Sequence, residues 1–167
     1  MLLGKSERLA YGGVLSALAL MFMYLACIVP SGKLALFALS SFCMGVCIAK
    51  TGVKYSLAAY FAVSLLSFFI LPQKLYAVGF AAFLGLYPFV KLWCEKQKNR
   101  KLEWILKILC ANIIFAVIYF AATALFSITE NAPVYILLLM FNAFFVIYDI
   151  VFSVFVTKIM SIRRNNL

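Results

Sequence analysis

Six runs of apolar residues, separated by breaks of only a few polar residues, constrain this chain more than any other feature. They cover residues 9–29, 34–49, 56–71, 75–93, 105–128 and 134–157. A membrane-spanning helix needs about 20 mainly apolar residues, with roughly 17–25 usual. Four runs meet that length, and the second and third fall a few residues short of a comfortable span. Inside a bilayer no water satisfies a peptide group, so a spanning segment with no partner strands must close its own hydrogen bonds as a helix. The expected fold is therefore all-α: a polytopic membrane protein, one bundle of about six transmembrane helices forming a single domain over residues 1–167. Composition removes the alternative. Hydrophobic residues make up 67% of the chain, against about 45–50% apolar residues in ordinary soluble domains.

The breaks carry turn chemistry: Pro30-Ser31-Gly32-Lys33, Lys50-Thr51-Gly52, Pro72-Gln73-Lys74, the charged stretch from Cys94 to Glu103, and Thr129-Glu130-Asn131-Ala132-Pro133. All are short, so consecutive helices are antiparallel neighbours. Counted on alternate sides, thirteen of the fifteen Lys and Arg residues fall on one side, leaving only Lys33 and Lys74 on the other. Short loops obey the positive-inside rule best, which sets the rich side in the cytoplasm with both ends inward, N-in and C-in. The +10 formal charge is thereby read as topology, not as a nucleic-acid surface. Trp93 and Trp104 flank the long inner loop, where interfacial aromatics belong. The first run is too long for a usual cleavable signal and is expected to remain as a helix.

Few residues inside the spans carry chemistry. Asp149 is the one acid deep in a span, about 13 Å from the cytoplasmic boundary when counted back from Lys158 at about 1.5 Å per residue. Asn112, counted from Trp104, reaches a similar depth of about 12 Å and is expected beside Asp149, with Tyr119 level with Asn142 farther out. This polar stripe between spans five and six reads either as interhelical glue or as a substrate or proton site. Glue is preferred, because Asp149 has no cationic partner in view at its depth. On the outer face Lys33, Lys74 and Glu130 are candidates for receiving an anionic solute, or are solvated loop charges. Tyr87-Pro88 should interrupt the fourth span. Cys43 and Cys47 lie one helical turn apart, but with no His in the chain and no second Cys pair they read as packing residues, and no metal or other cofactor is expected. The remaining acids are scattered in sequence and no P-loop pattern is present, so no catalytic residue is assigned and an enzyme is not expected.

Span one carries Gly12, Gly13, Ser16 and Ala17, two overlapping pairs of small residues four apart. Such spacing lets another helix approach closely, either within the bundle or from a partner. With this pattern in Gly12-Gly13-Val14-Leu15-Ser16-Ala17, six short-looped spans and inward ends, the chain resembles the substrate-binding membrane subunits, the S components, of energy-coupling factor transporters. The resemblance implies capture of a small water-soluble nutrient from outside, near Lys33, Lys74 and Glu130, with Asn142 and Tyr119 as further contacts. It also implies docking through Gly13 and Ala17, or Gly12 and Ser16, on a transmembrane coupling protein served by two ATPase subunits, in a bacterial inner membrane. The competing expectation is a non-transporting scaffold subunit of a cell-envelope complex, using the basic loop Lys96-Gln97-Lys98-Asn99-Arg100-Lys101 against acidic partners or anionic lipid. A proton-coupled carrier built on Asp149 is a third.

Overall fold

The computed structural model describes residues 4–95, 100–126 and 134–165. Glu130 and loop residues 96–99, singled out above, lie outside the described residues. The elements are α1 (Lys5–Ile28), α2 (Lys33–Thr51), α3 (Val53–Ile70), α4 (Lys74–Gly79), a π-helical turn (Phe80–Leu84), α5 (Tyr87–Cys94), α6 (Arg100–Phe126) and α7 (Val134–Asn165). No strand occurs among the described residues. Among the described residues six segments are long and apolar enough to span a membrane, with α4, the π turn and α5 together making the fourth. The protein is an all-α, multi-pass helical bundle.

The two spans that looked short gain residues at their ends. The second takes in Lys33 and runs to Thr51, and the third starts at Val53, leaving only Gly52 between them. That hairpin turns on a glycine because Gly52 sits at φ 90°, a backbone region that side-chain-bearing residues seldom occupy. The turn is stitched by hydroxyls: Thr51 Oγ1 lies 3.1 Å from Ser56 Oγ, and Ser56 donates to the Gly52 carbonyl at 2.9 Å.

Span four breaks as the Tyr87-Pro88 pair requires, and the structure shows how the freed carbonyls are satisfied. Pro88 has no N–H for the carbonyl four residues earlier, Leu84. The hydroxyl of Ser41 in α2 donates to that oxygen at 2.5 Å, and Tyr148 of α7 donates to Ser41 at 2.6 Å. One turn earlier the Gly85 N–H bonds back five residues to Phe80, bypassing Ala81. Tyr60 of α3 then donates its hydroxyl to the Ala81 carbonyl at 2.6 Å. A buried, unpaired carbonyl costs several kcal/mol in a bilayer, so these two hydroxyls make the broken helix tolerable and fix its position against α2, α3 and α7.

α2 is the hub. It packs on α1, α3, α5, the π turn and α7, while α1 also lies along α3 and α6 lies along α7. Gly45 lets α7 seat its Phe152 ring against α2, since a Cβ there would stand 2.6 Å from that ring. The core is aromatic, with Phe42, Phe80, Phe83, Tyr87, Phe145, Tyr148 and Phe152 buried together.

Candidate functional site

Three features stand apart from ordinary helix packing. The first is a cavity of about 420 Å³ in the outward half, between α2, α4, the π turn, α6 and α7. Its walls are ring-rich. Phe37 meets Tyr76 edge-on at 5.4 Å, Phe115 stacks with Tyr119 at 6.2 Å, and Phe141 lies 4.9 Å from Phe115. Phe83, Leu84 and Phe144 also line it, and Phe83 is in ring contact with Tyr87, Phe145 and Tyr148 of the buried aromatic core.

Of the expected solute contacts, Tyr119 lines this cavity. The lysines do not: their sequence neighbours Leu34 and Leu75 do. Lys74 instead turns its ammonium back on the end of α3, donating to the carbonyls of Phe68 at 2.5 Å and Leu71 at 3.1 Å. These are carbonyls that a helix C-terminus leaves without intrahelical donors, so the charge has a structural use. Lys33 is a half-buried first residue of α2.

The second feature corrects the polar stripe. Asn112 does not meet Asp149; it pairs reciprocally with Asn142, Nδ2 to Oδ1 at 3.3 Å in one direction and 2.9 Å in the other. Tyr119 is accordingly not level with Asn142 but sits about two turns farther out. The register differs from the depth count by about seven residues, near 10 Å at about 1.5 Å per residue. The count took Trp104 and Lys158 as level boundaries, whereas the Asn112–Asn142 contact sets Trp104 level with about residue 150, and α7 runs on past that level to Asn165.

Asp149 consequently has cationic partners, contrary to expectation. Lys91 of α5 is in direct ion contact with it, Lys107 of α6 stands 3.3 Å from its second oxygen, and the Tyr87 hydroxyl donates to it. The Lys91, Lys107 and Asp149 side chains are only 5%, 3% and 3% exposed. Lys91 also donates to Ser153 at 2.6 Å and faces the Phe152 ring at 5.5 Å. Toward the C-terminus of α5 and the N-terminus of α6 the network reaches the surface through Glu103, 2.7 Å from Lys107, and Glu95, 3.4 Å from Lys91 and 3.6 Å from Lys107. Three acids that are scattered in sequence thus converge, but around two lysines. Among the described residues no group of three or more His, Cys, Asp or Glu is placed to hold a metal.

Lys91, Lys107, Glu95 and Glu103 were all read as loop or boundary charge. One signal was available: Lys91 and Glu95, then Glu103 and Lys107, form mirrored i,i+4 pairs on either side of the inner loop, and such pairs share a helix face. What these groups do chemically is hold charge in place. Lys91 has carboxylate and hydroxyl partners and Lys107 has three carboxylates, so the cluster clamps these ends of spans four, five and six together.

The third feature is a groove of about 450 Å³ between α1 and α3. Gly12, Gly13, Ser16 and Ala17 line it, and α3 contributes Ala58, Ala59 and Ala62, so both walls are built of small side chains. Gly13 and Ala17 are exposed, and a Cβ added at Gly12 or Gly13 would meet no atom within 4 Å. Packing within the described chain therefore does not require those residues to be small. At the inner end Arg8 lies over the Tyr55 ring at 5.8 Å.

Bundle and sites together define a multi-pass helical membrane protein with a ring-lined cavity and a separate groove walled partly by small side chains. In comparisons with known proteins no family model, no curated protein and no solved structure matches the chain.

Proposed function

We propose that this chain is the substrate-binding membrane subunit of an energy-coupling-factor-type importer in a bacterial inner membrane, taking a small nutrient from outside and drawing energy from a separate ATPase module. One observation carries the reading: the cavity and the small-residue groove share no residue and no helix. A subunit that both holds a solute and rides on a partner needs two such surfaces, and a helical partner needs small side chains to approach closely. The solute occupies the cavity between α2, α4, α6 and α7. The transmembrane coupling protein docks along α1 and α3, contacting Gly12, Gly13, Ser16 and Ala17. The clamp of Lys91, Lys107 and Asp149 seals the inner end of the same spans, so the solute has no path straight through them. A scaffold subunit would use the groove and leave the cavity without a role.

Purification of the tagged chain from its host membrane in mild detergent, with mass spectrometry of proteins and extracted small molecules, tests this. The expected result is a pair of ATPase subunits, one further membrane protein and a stoichiometric metabolite. Cell-envelope proteins with no metabolite would instead establish the scaffold. Gly13→Leu and Ala17→Leu sharpen the test, because the open surroundings of these positions leave the fold intact. Uptake should fall at least tenfold in each while solute binding to the isolated chain stays within twofold of the parent.

A further inference from the structure

We propose that the outward cavity takes an uncharged solute built on a flat aromatic ring system, and that it discriminates against anions. The proposal rests on the reading of this cavity as the solute site and goes on to name the chemistry of the solute.

Charge decides the first half. Among the described residues no Lys, Arg, Asp or Glu lines the cavity. The lysine nearest in sequence whose ammonium contacts are known, Lys74, has them on the α3 carbonyls. A carboxylate or phosphate entering here would lose its water without gaining a counter-charge, the costliest exchange an apolar site can impose. A cation would fare no better, because the acids Glu95, Glu103 and Asp149 gather on the far side of the Asn112–Asn142 pair, each already in an ion pair with a lysine.

Shape decides the second half. Seven of the fourteen described lining residues are aromatic, and they come from separate elements: the Phe37–Tyr76 pair on α2 and α4, Phe83 on the π turn, the Phe115–Tyr119 pair on α6, and Phe141 and Phe144 on α7. Aromatic rings attract one another in offset-stacked or edge-on arrangements at centroid separations of about 4.5–7 Å, so such walls favour a flat ring over a flexible acyl chain of equal area. The volume of about 420 Å³ lies within the roughly 300–1,000 Å³ of small-molecule sites. Tyr76 and Tyr119 supply hydroxyls for one or two hydrogen bonds, whereas the Thr123 hydroxyl already donates to the Tyr119 and Phe120 carbonyls.

The test uses the full chain in phosphatidylcholine nanodiscs and three fluorescent tricyclic probes: acridone, which is neutral, acridone-10-acetate, which is anionic, and 9-aminoacridine, which is cationic. Acridone should bind saturably, and each charged probe at least tenfold more weakly. Gly79→Phe is the blocking variant. Gly79 lines the cavity, and a Cβ there would stand 3.4 Å from the Phe37 ring, an ordinary contact, so the added ring occupies the solute's space. Acridone affinity should fall at least tenfold in it. Phe115→Ala, which removes one wall from a half-buried position, should lower affinity at least threefold and serves if the first variant does not fold.

Equal or tighter binding of the anion overturns the proposal. So does acridone uptake unchanged in both variants, which would be bilayer partitioning. Absence of saturable acridone binding, with a lipid chain retained in the cavity, overturns it in favour of a lipid crevice. Failure of the importer reading is distinguishable: the ATPase partners would be missing from the purification while acridone binding and its loss in Gly79→Phe persist. Failure of the solute class leaves those partners in place.

Discussion

Spans four, five and six are held together in two different ways along their length. At one end they stand apart around a cavity whose lining, among the described residues, contains no charged side chain. At the other the same three spans are drawn together by five charged side chains, two of them lysines buried as fully as core residues. A charge far from water must be matched where it stands, and Glu95, at 47% side-chain exposure, connects this network to the aqueous boundary. Rings need no such matching and can line an empty space. Charge pairing thus draws the helices together at one end, whereas ring walls leave space between the same helices at the other.

The largest effect should come from removing the centre of the clamp. Asp149→Leu leaves Lys91 and Lys107 buried with only peripheral carboxylates, and breaking a buried ion pair from one side costs about 3–5 kcal/mol. A thermal melt of the detergent-solubilised variant should show that loss. The double variant Lys91→Met/Asp149→Leu should recover part of it, because Lys107 keeps Glu103 at 2.7 Å and no longer shares its site with an unmatched ammonium. If the double variant is no more stable than the single, the cluster is not a mutual clamp and the contrast between the halves fails.

A smaller effect follows from crowding the hub beside the clamp. Gly45→Ala puts a carbon 2.6 Å from the Phe152 ring, and overpacking of this kind costs about 1–3 kcal/mol. Phe152 lies beneath the Lys91 ammonium, so the shift it must make should also loosen the inner seal. Differential labelling of an engineered cysteine at Ser153 by a water-soluble maleimide measures that opening, and unchanged labelling would separate the hub from the clamp.

How much of this was legible in the sequence differs between the same two regions. The helices were, because apolar length leaves a bilayer segment no other economy of hydrogen bonds. So was the break at Tyr87-Pro88, since a proline removes a donor wherever it stands. The groove residues Gly12, Gly13, Ser16 and Ala17 were found by spacing, although their counterparts Ala58, Ala59 and Ala62 on α3 were not, because alanine in an apolar run gives no signal of its own. The clamp was misread for a physical reason: Lys91 and Lys107 lie within about a turn or two of the polar loop, where a lysine that snorkels to water and one that turns inward have the same sequence signature. Separately, taking Trp104 and Lys158 as level boundaries displaced the register of spans five and six, and with it the partners of Asp149, Asn112 and Asn142. The cavity was visible only through Tyr119, since the remaining ring residues of its walls look like core until the helices are seen to part.

The smallest effect belongs to the seam between the halves. Asn112 and Asn142 lie outward of the clamp and inward of the cavity-lining Phe115, Tyr119 and Phe141, and besides each other they donate to Ile108 and Leu138 of their own helices at 2.9 Å. Each amide therefore keeps a local partner if the other is removed. Interhelical hydrogen bonds of this kind contribute on average about 0.6 kcal/mol, reaching about 1.7 at most. A double-mutant cycle with Asn112→Ala and Asn142→Ala should return a coupling energy near the lower figure. A value of several kcal/mol would mean that the pair belongs energetically to the clamp, and that the rigid inner half extends to the floor of the cavity. A coupling near zero would place the pair with the outer half, where spans five and six are free to part. The measurement thus locates the boundary between the sealed and the adaptable portions of one pair of helices.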